Sequence, residues 1–236
     1  MEIRLNKFLN EAGFCSRRAA DKLIEEGKVT IDGQKATLGM KVSDGQVVRV
    51  GKKVISGKEK RVVLAFYKPM GIVCTEDRRF AGNLVDFINY PMRVTYAGRL
   101  DKDSEGLMLL SNDGELVGEI TKASNFHEKE YKVRVNKPLT ESFIKAMSSG
   151  VTINDEEKDI HTVTRKCEVK KTGTYTFSIV LTQGINRQIR RMCEALGYRV
   201  RGLIRTRIMH ITLGDLKPGG YRELSDMEIA GFSPDL

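Results

Sequence analysis

The chain of 236 residues has no tryptophan, five prolines, four cysteines and three histidines. So little proline excludes a collagenous or proline-rich fibre. No segment approaches the roughly 18 consecutive apolar residues of a transmembrane helix, and the charged start Met1–Arg4 lacks the apolar core of a secretory signal. Apolar residues still make up 40% of the chain, which is enough to form a core. We therefore expect a soluble, cytoplasmic protein.

Cysteine and histidine are too scattered for the common metal sites. The cysteines are Cys15, Cys74, Cys167 and Cys193, and no two of them have C-x-x-C spacing. Zinc ribbons and disulfide frameworks need closer spacing, so we interpret these residues as free thiols, more typical of small core hydrophobes than of a nucleophile. The histidines, His127, His161 and His210, are isolated and lack H-E-x-x-H spacing. The sequence predicts no metal ion.

Two segments resemble ligand-binding loops only in part. Gly51–Lys58 has five residues between its glycines where a phosphate-binding loop needs four. Asp101–Asn112 begins like a calcium loop but ends in asparagine where the bidentate glutamate belongs. No G-x-G-x-x-G motif opens a strand–helix unit. We therefore expect no nucleotide cofactor, and any catalysis has to use side chains alone.

Charge is the first compositional property that indicates a function. Lysine and arginine number 40 against 31 acidic residues, a formal net charge of +9. Residues 1–60 hold 13 basic and 8 acidic residues, and Gly184–Arg207 holds seven arginines and one acid. Two basic patches suit a polyanion that contacts both, because neutralised phosphates release counterions. An ordinary solvated surface would give the same composition, so charge alone does not decide.

The first part of the chain is predicted to form a small helix–helix–strand module. Apolar residues recur at helical spacing over residues 5–12, and Ser16 is placed to cap a second helix. Short strand signals follow at Val29–Ile31 and Val47–Val50. The polar segment Gly51–Lys60 is interpreted as a linker. The domain boundaries predicted from this pattern are 1–57 and 58–236.

The second domain mixes strands and helices irregularly. Strand signals lie at Val62–Phe66, Tyr131–Val135, Thr162–Val169 and Tyr175–Leu181, the last two as a hairpin. Asn186 is predicted to introduce a helix with an apolar stripe. Frequent hairpins with interspersed helices predict an α+β fold with a mostly antiparallel sheet.

The N-terminal module resembles the S4 RNA-binding domain. The matching segments are Arg4–Leu9, Ser16–Ala20 and Gly27–Gly33. The resemblance implies contacts to the RNA backbone by charge and shape rather than by base sequence. The side chains implied in these contacts are Arg4, Lys7, Arg17, Arg18 and Lys22.

The rest of the chain is similar to the bacterial ribosomal-RNA pseudouridine synthases of the RsuA type. Five motifs match in order: Tyr67–Val73, Gly98–Asp101, His127–Tyr131, Gly184–Met192 and Leu203–Met209. Within this family, Asp159–Lys171 and Glu128–Tyr131 most resemble the synthase F group. The resemblance implies an S4-type module followed by a catalytic domain with a mostly antiparallel mixed sheet flanked by helices. It also implies uridine isomerisation in 23S ribosomal RNA, in the peptidyl-transferase region, by a monomer.

The same resemblance implies roles for individual residues. Asp101 matches the catalytic aspartate, Tyr131 the tyrosine that stacks on the target base, and Arg190 the arginine that pairs with the aspartate. Further RNA contacts are implied for Lys68, Arg99, Arg187, Arg191, Arg205 and Arg207. Each residue by itself has an ordinary structural interpretation, as a turn aspartate, a strand tyrosine or solvated arginines. Because the five motifs occur in the order found in the family, the functional interpretation of these residues is favoured.

The chemistry fits a chain without cofactors. Pseudouridine formation breaks the glycosidic bond, rotates the base and joins C5 to the ribose, with no atom gained or lost. A carboxylate suits the developing cationic sugar carbon, but the residues leave open whether Asp101 attacks the sugar, attacks the base or removes a proton. An inactive S4-type RNA-binding or ribosome-assembly factor and the same chemistry on 16S ribosomal RNA remain alternatives. A tRNA-charging enzyme would need a nucleotide site, which the sequence lacks.

Overall fold

Two units divide the chain in the computed structural model, which describes residues 2–57, 59–77, 79–122, 126–155 and 159–232. The first unit consists of the residues up to Val62 with Tyr90–Thr95 and Asn112–Gly114. The second consists of Val63–Asn89, Tyr96–Ser111 and the residues from Glu115 onward. Lys58, in the segment interpreted as a linker, and the final residues 233–236 lie outside the described part.

The first unit packs helices on short antiparallel strands. Its elements are β1 (Ile3–Arg4), α1 (Leu5–Glu11), α2 (Arg17–Glu25), β2 (Val29–Ile31), β3 (Gln34–Lys35), β4 (Lys41–Val42), β5 (Val48–Val50) and β6 (Lys53–Ile55). Strand β1 pairs with β4, and the other strands form a sheet in the order β3-β2-β5-β6. The Ser16 hydroxyl accepts a hydrogen bond from the Ala19 N–H at 3.2 Å, which confirms the predicted cap of α2. The core of the unit contains Leu5, Leu9, Ile24 and Val48.

The prediction of a linker at Gly51–Lys60 is wrong for the first half of this segment, which belongs to the sheet. Val50 and Lys53 pair across a two-residue turn, and β6 continues the sheet as far as Ile55, which is buried. Gly51 has φ +55°, the left-handed conformation that a two-residue hairpin turn requires. Gly51 and Lys52 therefore form a hairpin turn and Lys53 begins β6, although their composition is also typical of a linker.

The second unit is built on a mixed sheet that, within the described residues, has nine strands in the order β13-β14-β10-β15-β9-β7-β17, with β16 paired to β15 and β8 to β9. The strands of this unit are β7 (Val63–Lys68), β8 (Thr95–Ala97), β9 (Glu105–Ser111), β10 (Lys129–Val135), β11 (Thr152–Asp155), β12 (Ile160–Val163), β13 (Glu168–Lys171), β14 (Thr176–Leu181), β15 (Val200–Ile208), β16 (Ile211–Thr212) and β17 (Tyr221–Glu223). Strands β11 and β12 pair with each other outside the nine-stranded sheet. Its helices are α3 (Leu84–Ile88), α4 (Gly114–Thr121), α5 (Glu141–Ser149), α6 (Gln188–Ala195) and α7 (Asp226–Ala230). Strands β15 and β9 are parallel, whereas β7–β9, β10–β14 and β10–β15 are antiparallel. The predicted α+β class with a mostly antiparallel mixed sheet is confirmed.

The predicted strand over Thr162–Val169 is two separate strands. Thr162 and Val163 belong to β12, which pairs with β11 rather than with β14. The chain changes partner at the buried Thr164, whose hydroxyl accepts a hydrogen bond from the Val151 N–H at 2.9 Å. Only Glu168–Lys171 pairs with β14 as the predicted hairpin.

Helix α6 begins one residue later than Asn186 would predict. Its N-terminal flanking residue is Arg187, which has φ +51° and makes no capping hydrogen bond with its side chain. The apolar stripe is as predicted, with Ile189, Met192 and Cys193 buried against the sheet core around Val133 and Phe177. Among the described residues, no helix has the length and apolar character needed to span a membrane.

Candidate active site

Asp101 lies in the loop between β8 and β9. The Ser104 N–H donates to the Asp101 carbonyl at 3.1 Å, and the Gly71 N–H donates to the Lys102 carbonyl at 2.8 Å. These bonds tie the loop Asp101–Ser104 (the aspartate loop) to itself and to the turn after β7. The side chain of Asp101 is 30% exposed and faces a cavity of about 550 Å³. The carboxylate is thus held on a braced loop and remains accessible.

Tyr131 reaches the same cavity from β10. It pairs with Arg205 of β15 at a register shift between Glu130 and Tyr131, and it is half-buried against the sheet core. The cavity is bordered by Asp101, Tyr131, Arg99, Lys129, Arg187 and Arg205, among others. The structure therefore brings together the predicted aspartate, the predicted tyrosine and several of the predicted basic residues.

The aspartate's arginine partner differs from the prediction. Nη1 of Arg187 lies 3.4 Å from Oδ2 of Asp101, whereas Arg190 donates through Nη2 to the Asp103 carbonyl at 2.8 Å and to the Ser104 hydroxyl at 3.1 Å. Arg187 and Arg190 are three residues apart, so both can lie over the aspartate loop. Arg187, which directly precedes the helix, is the one that reaches the Asp101 carboxylate. The predicted pairing of Arg190 with Asp101 is wrong, and Arg190 braces the loop instead.

Asp103 shares these arginines with Asp101. Its carboxylate lies 3.3 Å from Nη1 of Arg187 and 3.4 Å from Nη2 of Arg190. Burial acts to raise the pKa of Asp103, but the hydrogen bond from Arg187 and the charges of both arginines outweigh it, so the pKa lies below its usual value. Arg187 therefore contacts two carboxylates, an arrangement that the sequence motifs alone did not indicate.

Lys68, for which an RNA contact was predicted, is buried and hydrogen-bonded within the protein. It is 0% exposed, and its Nζ donates to the carbonyls of Pro69 at 2.9 Å and Ser104 at 2.8 Å. Burial lowers the pKa of this ammonium. All residues of β7 are buried, so alternation along the strand does not bring Lys68 to a surface. The buried ammonium is not presented to solvent as the predicted RNA contact would require, and the residue links the end of β7 to the aspartate loop.

The other predicted basic residues of this unit fall into two groups. Arg99 is exposed and Arg205 is only 2% exposed, yet both border the cavity. Arg191 forms an ion pair with Asp155, and Arg207 bonds Glu130 at 3.1 Å and Glu128 at 3.0 Å. Arg99 and Arg205 can contact a nucleotide bound in the cavity. The charges of Arg191 and Arg207 are already compensated by acidic neighbours.

In the first unit, the predicted RNA-contacting residues are mostly at the surface. Arg4, Arg17, Arg18 and Lys22 are exposed. Lys7 is half-buried, and its ammonium lies 3.6 Å from Glu11. We therefore regard the four exposed residues as the basic surface of this unit, although Lys22 also lies 3.9 Å from Glu26, and we regard the half-buried Lys7 as part of a helix ion pair.

Several residues that border the cavity were not predicted as site residues, and Lys129 is one of them. Lys129 is half-buried, borders the cavity and donates from Nζ to the His127 carbonyl at 3.1 Å. It lies two residues before Tyr131, so the period-two alternation of a strand would have placed both on one face. No three histidine, cysteine or acidic side chains gather as metal ligands in the ranges that the structure describes.

Comparison with known proteins agrees with this arrangement. The RNA pseudouridylate synthase family model matches residues 62–195, and the S4 domain model matches residues 3–55. The chain is 50% identical over 229 residues to the dual-specificity RNA pseudouridine synthase RluF of Escherichia coli K12, covering 96% of this chain and 77% of that protein. It is 34% identical to the ribosomal large subunit pseudouridine synthase B of Bacillus subtilis, covering 96% and 93%. A crystal structure of a pseudouridylate synthase has a TM-score of 0.70 at 29% identity, covering 98% of this chain and all of that one.

The chain therefore belongs to the RNA pseudouridylate synthase family, with an S4 domain near its N-terminus. It is an RNA-modifying isomerase, as the resemblance of its motifs to the RsuA-type synthases and the synthase F group predicted.

Proposed function

We propose that this enzyme isomerises a uridine of 23S ribosomal RNA in the peptidyl-transferase region, with Asp101 as its catalytic residue. The observation on which the proposal depends is a single cavity bordered by the Asp101 carboxylate, its Arg187 partner and the Tyr131 ring. A base inside an RNA helix cannot reach such a cavity, so the target nucleotide has to leave its stack. The ring of Tyr131 offers a stacking surface that replaces the lost neighbours.

The contacts support a division of labour in the reaction. The C1′–N1 bond breaks, a C1′–C5 bond forms, and the base loses the proton on C5 while N1 gains one. In this proposal Asp101 acts at the sugar carbon where positive charge develops, and the Arg187 guanidinium, 3.4 Å from Oδ2 of Asp101, orients the carboxylate. The aspartate loop is braced by Arg190 and Lys68, so little reorganisation is needed during the reaction.

The proposed substrate and location follow from the relatives. Two of them bear names of RNA or ribosomal large-subunit pseudouridine synthases, which supports a ribosomal RNA substrate and, with it, action in the cytoplasm. The name of the Escherichia coli protein states a dual specificity, which supports testing a second RNA as well. The exposed basic residues of the first unit, proposed as an RNA-binding domain over residues 1–57, provide a phosphate-binding surface that requires no particular base sequence.

The test compares Asp101→Asn with Asp215→Asn, a matched change at an exposed aspartate. Each protein is incubated with 23S and 16S transcripts labelled with tritium at C5 of uridine, and the released tritium is counted. We expect activity on 23S RNA for the parent and for Asp215→Asn, and no detectable activity for Asp101→Asn despite normal RNA affinity. Release from 16S RNA alone would contradict the proposed substrate, and turnover by Asp101→Asn would contradict the catalytic assignment. An inactive parent that still binds RNA would support the assembly-factor alternative.

A further inference from the structure

Two basic side chains on the cavity wall have no acidic partner. Arg205 donates from Nε to the Leu107 carbonyl at 2.7 Å, and its Nη2 is buried without a hydrogen-bond partner in the described structure. Lys129 donates to the His127 carbonyl. Neither forms an ion pair with a carboxylate among the residues that the structure describes. Several other basic residues nearby do form such pairs, namely Arg187, Arg190, Arg191 and Arg207.

The positive charges of Lys129 and Arg205 also repel each other. Burial lowers the pKa of Lys129, and the charge of Arg205 lowers it further. Two neighbouring cations away from bulk water are unfavourable unless an anion accompanies them. Groups with a shifted pKa, such as Lys129, concentrate at functional sites, and Lys129 and Arg205 border the same cavity as Asp101. The positive charges of Lys129 and Arg205 therefore favour the binding of an anionic group in the cavity.

The packing of the strands fixes Arg205 in this position. Strand β15 runs parallel to β9, with Arg205 paired to Gly106. A Cβ at Gly106 would lie 2.6 Å from the Arg205 backbone nitrogen, so only glycine permits this close approach. Across the sheet, Arg205 pairs with Tyr131, and Lys129 lies two residues from Tyr131 on the same strand. The two cations and the aromatic ring thus share one face of the sheet.

The proposed reaction supplies an anion at this place. When the C1′–N1 bond breaks, its electron pair remains on the uracil ring, and the negative charge is shared by O2 and O4. We infer that Lys129 and Arg205 bind the detached uracil and stabilise this charge while the ring stacks on Tyr131. This inference depends on the proposed function. Positive groups fixed in advance where charge develops are among the largest contributions to catalysis.

The burial of the pair argues against a backbone phosphate as the ligand. Arg205 is 2% exposed, which suits a base inserted into the cavity rather than a phosphodiester that passes over the surface. The two ligands also predict different behaviour. A phosphate contact contributes to RNA affinity and to its salt dependence, whereas stabilisation of the detached base contributes only after the bond has broken.

The experiment uses Lys129→Met, Lys129→Arg and the control Lys132→Met in the full-length protein. Lys132 lies on the same strand but is exposed, so its substitution removes the same charge outside the cavity. Single-turnover rate at saturating enzyme and RNA affinity across salt are measured for each variant. We expect Lys129→Met to lower the rate by about 10- to 100-fold at unchanged affinity, with Lys129→Arg within about threefold of the parent and Lys132→Met unchanged.

Arg205→Lys provides a second measurement, since it keeps a charge but cannot place two donors as the guanidinium does. We expect it to remain folded by circular dichroism and to lose about 100-fold in rate. Weaker affinity with a smaller salt slope and an unchanged saturated rate for Lys129→Met would overturn the inference in favour of a phosphate site. Equal losses for Lys129→Met and Lys129→Arg would also overturn it, since only packing would then matter. An inactive parent would instead contradict the proposed function itself.

Discussion

The S4 unit offers a quantitative test of RNA binding through its exposed charges. The perturbation is the simultaneous change of Arg4, Arg17, Arg18 and Lys22 to glutamine. All four side chains are exposed, and Lys7 is left in place because it is half-buried beside Glu11. Because these side chains are at the surface, their replacement should leave the core of the unit, which includes Leu9 and Ile24, intact.

The expected magnitude follows from counterion release. Each phosphate contact to RNA or DNA contributes about 0.7 to 0.9 to the slope of log affinity against log salt concentration. If the four side chains contact phosphates, the slope should fall by roughly 3 to 4, and affinity at low salt should fall by orders of magnitude. The residues that border the cavity are unchanged, so the single-turnover rate at saturating protein should stay within about twofold of the parent.

The control removes the same charge from the same unit. Lys35, Lys41, Arg49 and Lys52 are also exposed, but they lie on or beside the strands β3 to β6 rather than around the two helices. Binding of a ribosomal RNA hairpin is measured by fluorescence anisotropy at several salt concentrations for the parent and both quadruple variants. Equal losses of slope in the two variants would show that only net charge matters and would refute a defined RNA-binding surface around α1 and α2.

Two further predictions concern the aspartate loop. Arg187→Ala should lower the single-turnover rate by about 100-fold, because it removes the ion-pair partner of Asp101. Arg191→Ala is the control and should change the rate little, because Arg191 pairs with Asp155. Similar rates for the two variants would contradict the assignment of Arg187. Lys68→Met should lower the free energy of unfolding in urea by about 1 to 3 kcal/mol, because the Pro69 and Ser104 carbonyls lose their buried donor; an unchanged or higher unfolding midpoint would show that the bonds do not offset the burial of the charge.

Local signals in the sequence predicted the helix starts well. Thr140 before an apolar helical pattern and the S-x-x-E pattern at Ser225–Glu228 are both N-terminal helix signals. The Thr140 hydroxyl accepts a hydrogen bond from the Phe143 N–H at 3.1 Å, and Ser225 forms a capping box with Glu228. A cap is defined by residues three apart, so a single sequence contains all the information it requires. The same holds for the alternation along β10, where Val133 and Val135 are buried and Lys132 is exposed.

The errors arose where the structure depends on distant segments. The strand predicted over Thr162–Val169 has suitable composition throughout, but its first half pairs with β11 and its second half with β14. Lys68 follows an apolar run and could have ended it at the surface, yet β17 and β9 enclose β7 on both edges and the strand is buried throughout. Nothing near Lys68 in the chain indicates the Ser104 carbonyl that accepts a hydrogen bond from its ammonium.

The assignment of the aspartate's partner shows the same limit at the site itself. The motif Gly184–Met192 correctly predicted that an arginine of this segment meets the aspartate loop, but it contains three arginines. Their roles depend on where α6 begins, and the positive φ of Arg187 directs that residue to Asp101 while leaving Arg190 for the Asp103 carbonyl. A motif therefore locates the element that contributes to a site. The backbone conformation at the start of the element determines which side chain makes the contact. Here it determines that Arg187 orients the Asp101 carboxylate and that Arg190 stabilises the loop that carries it.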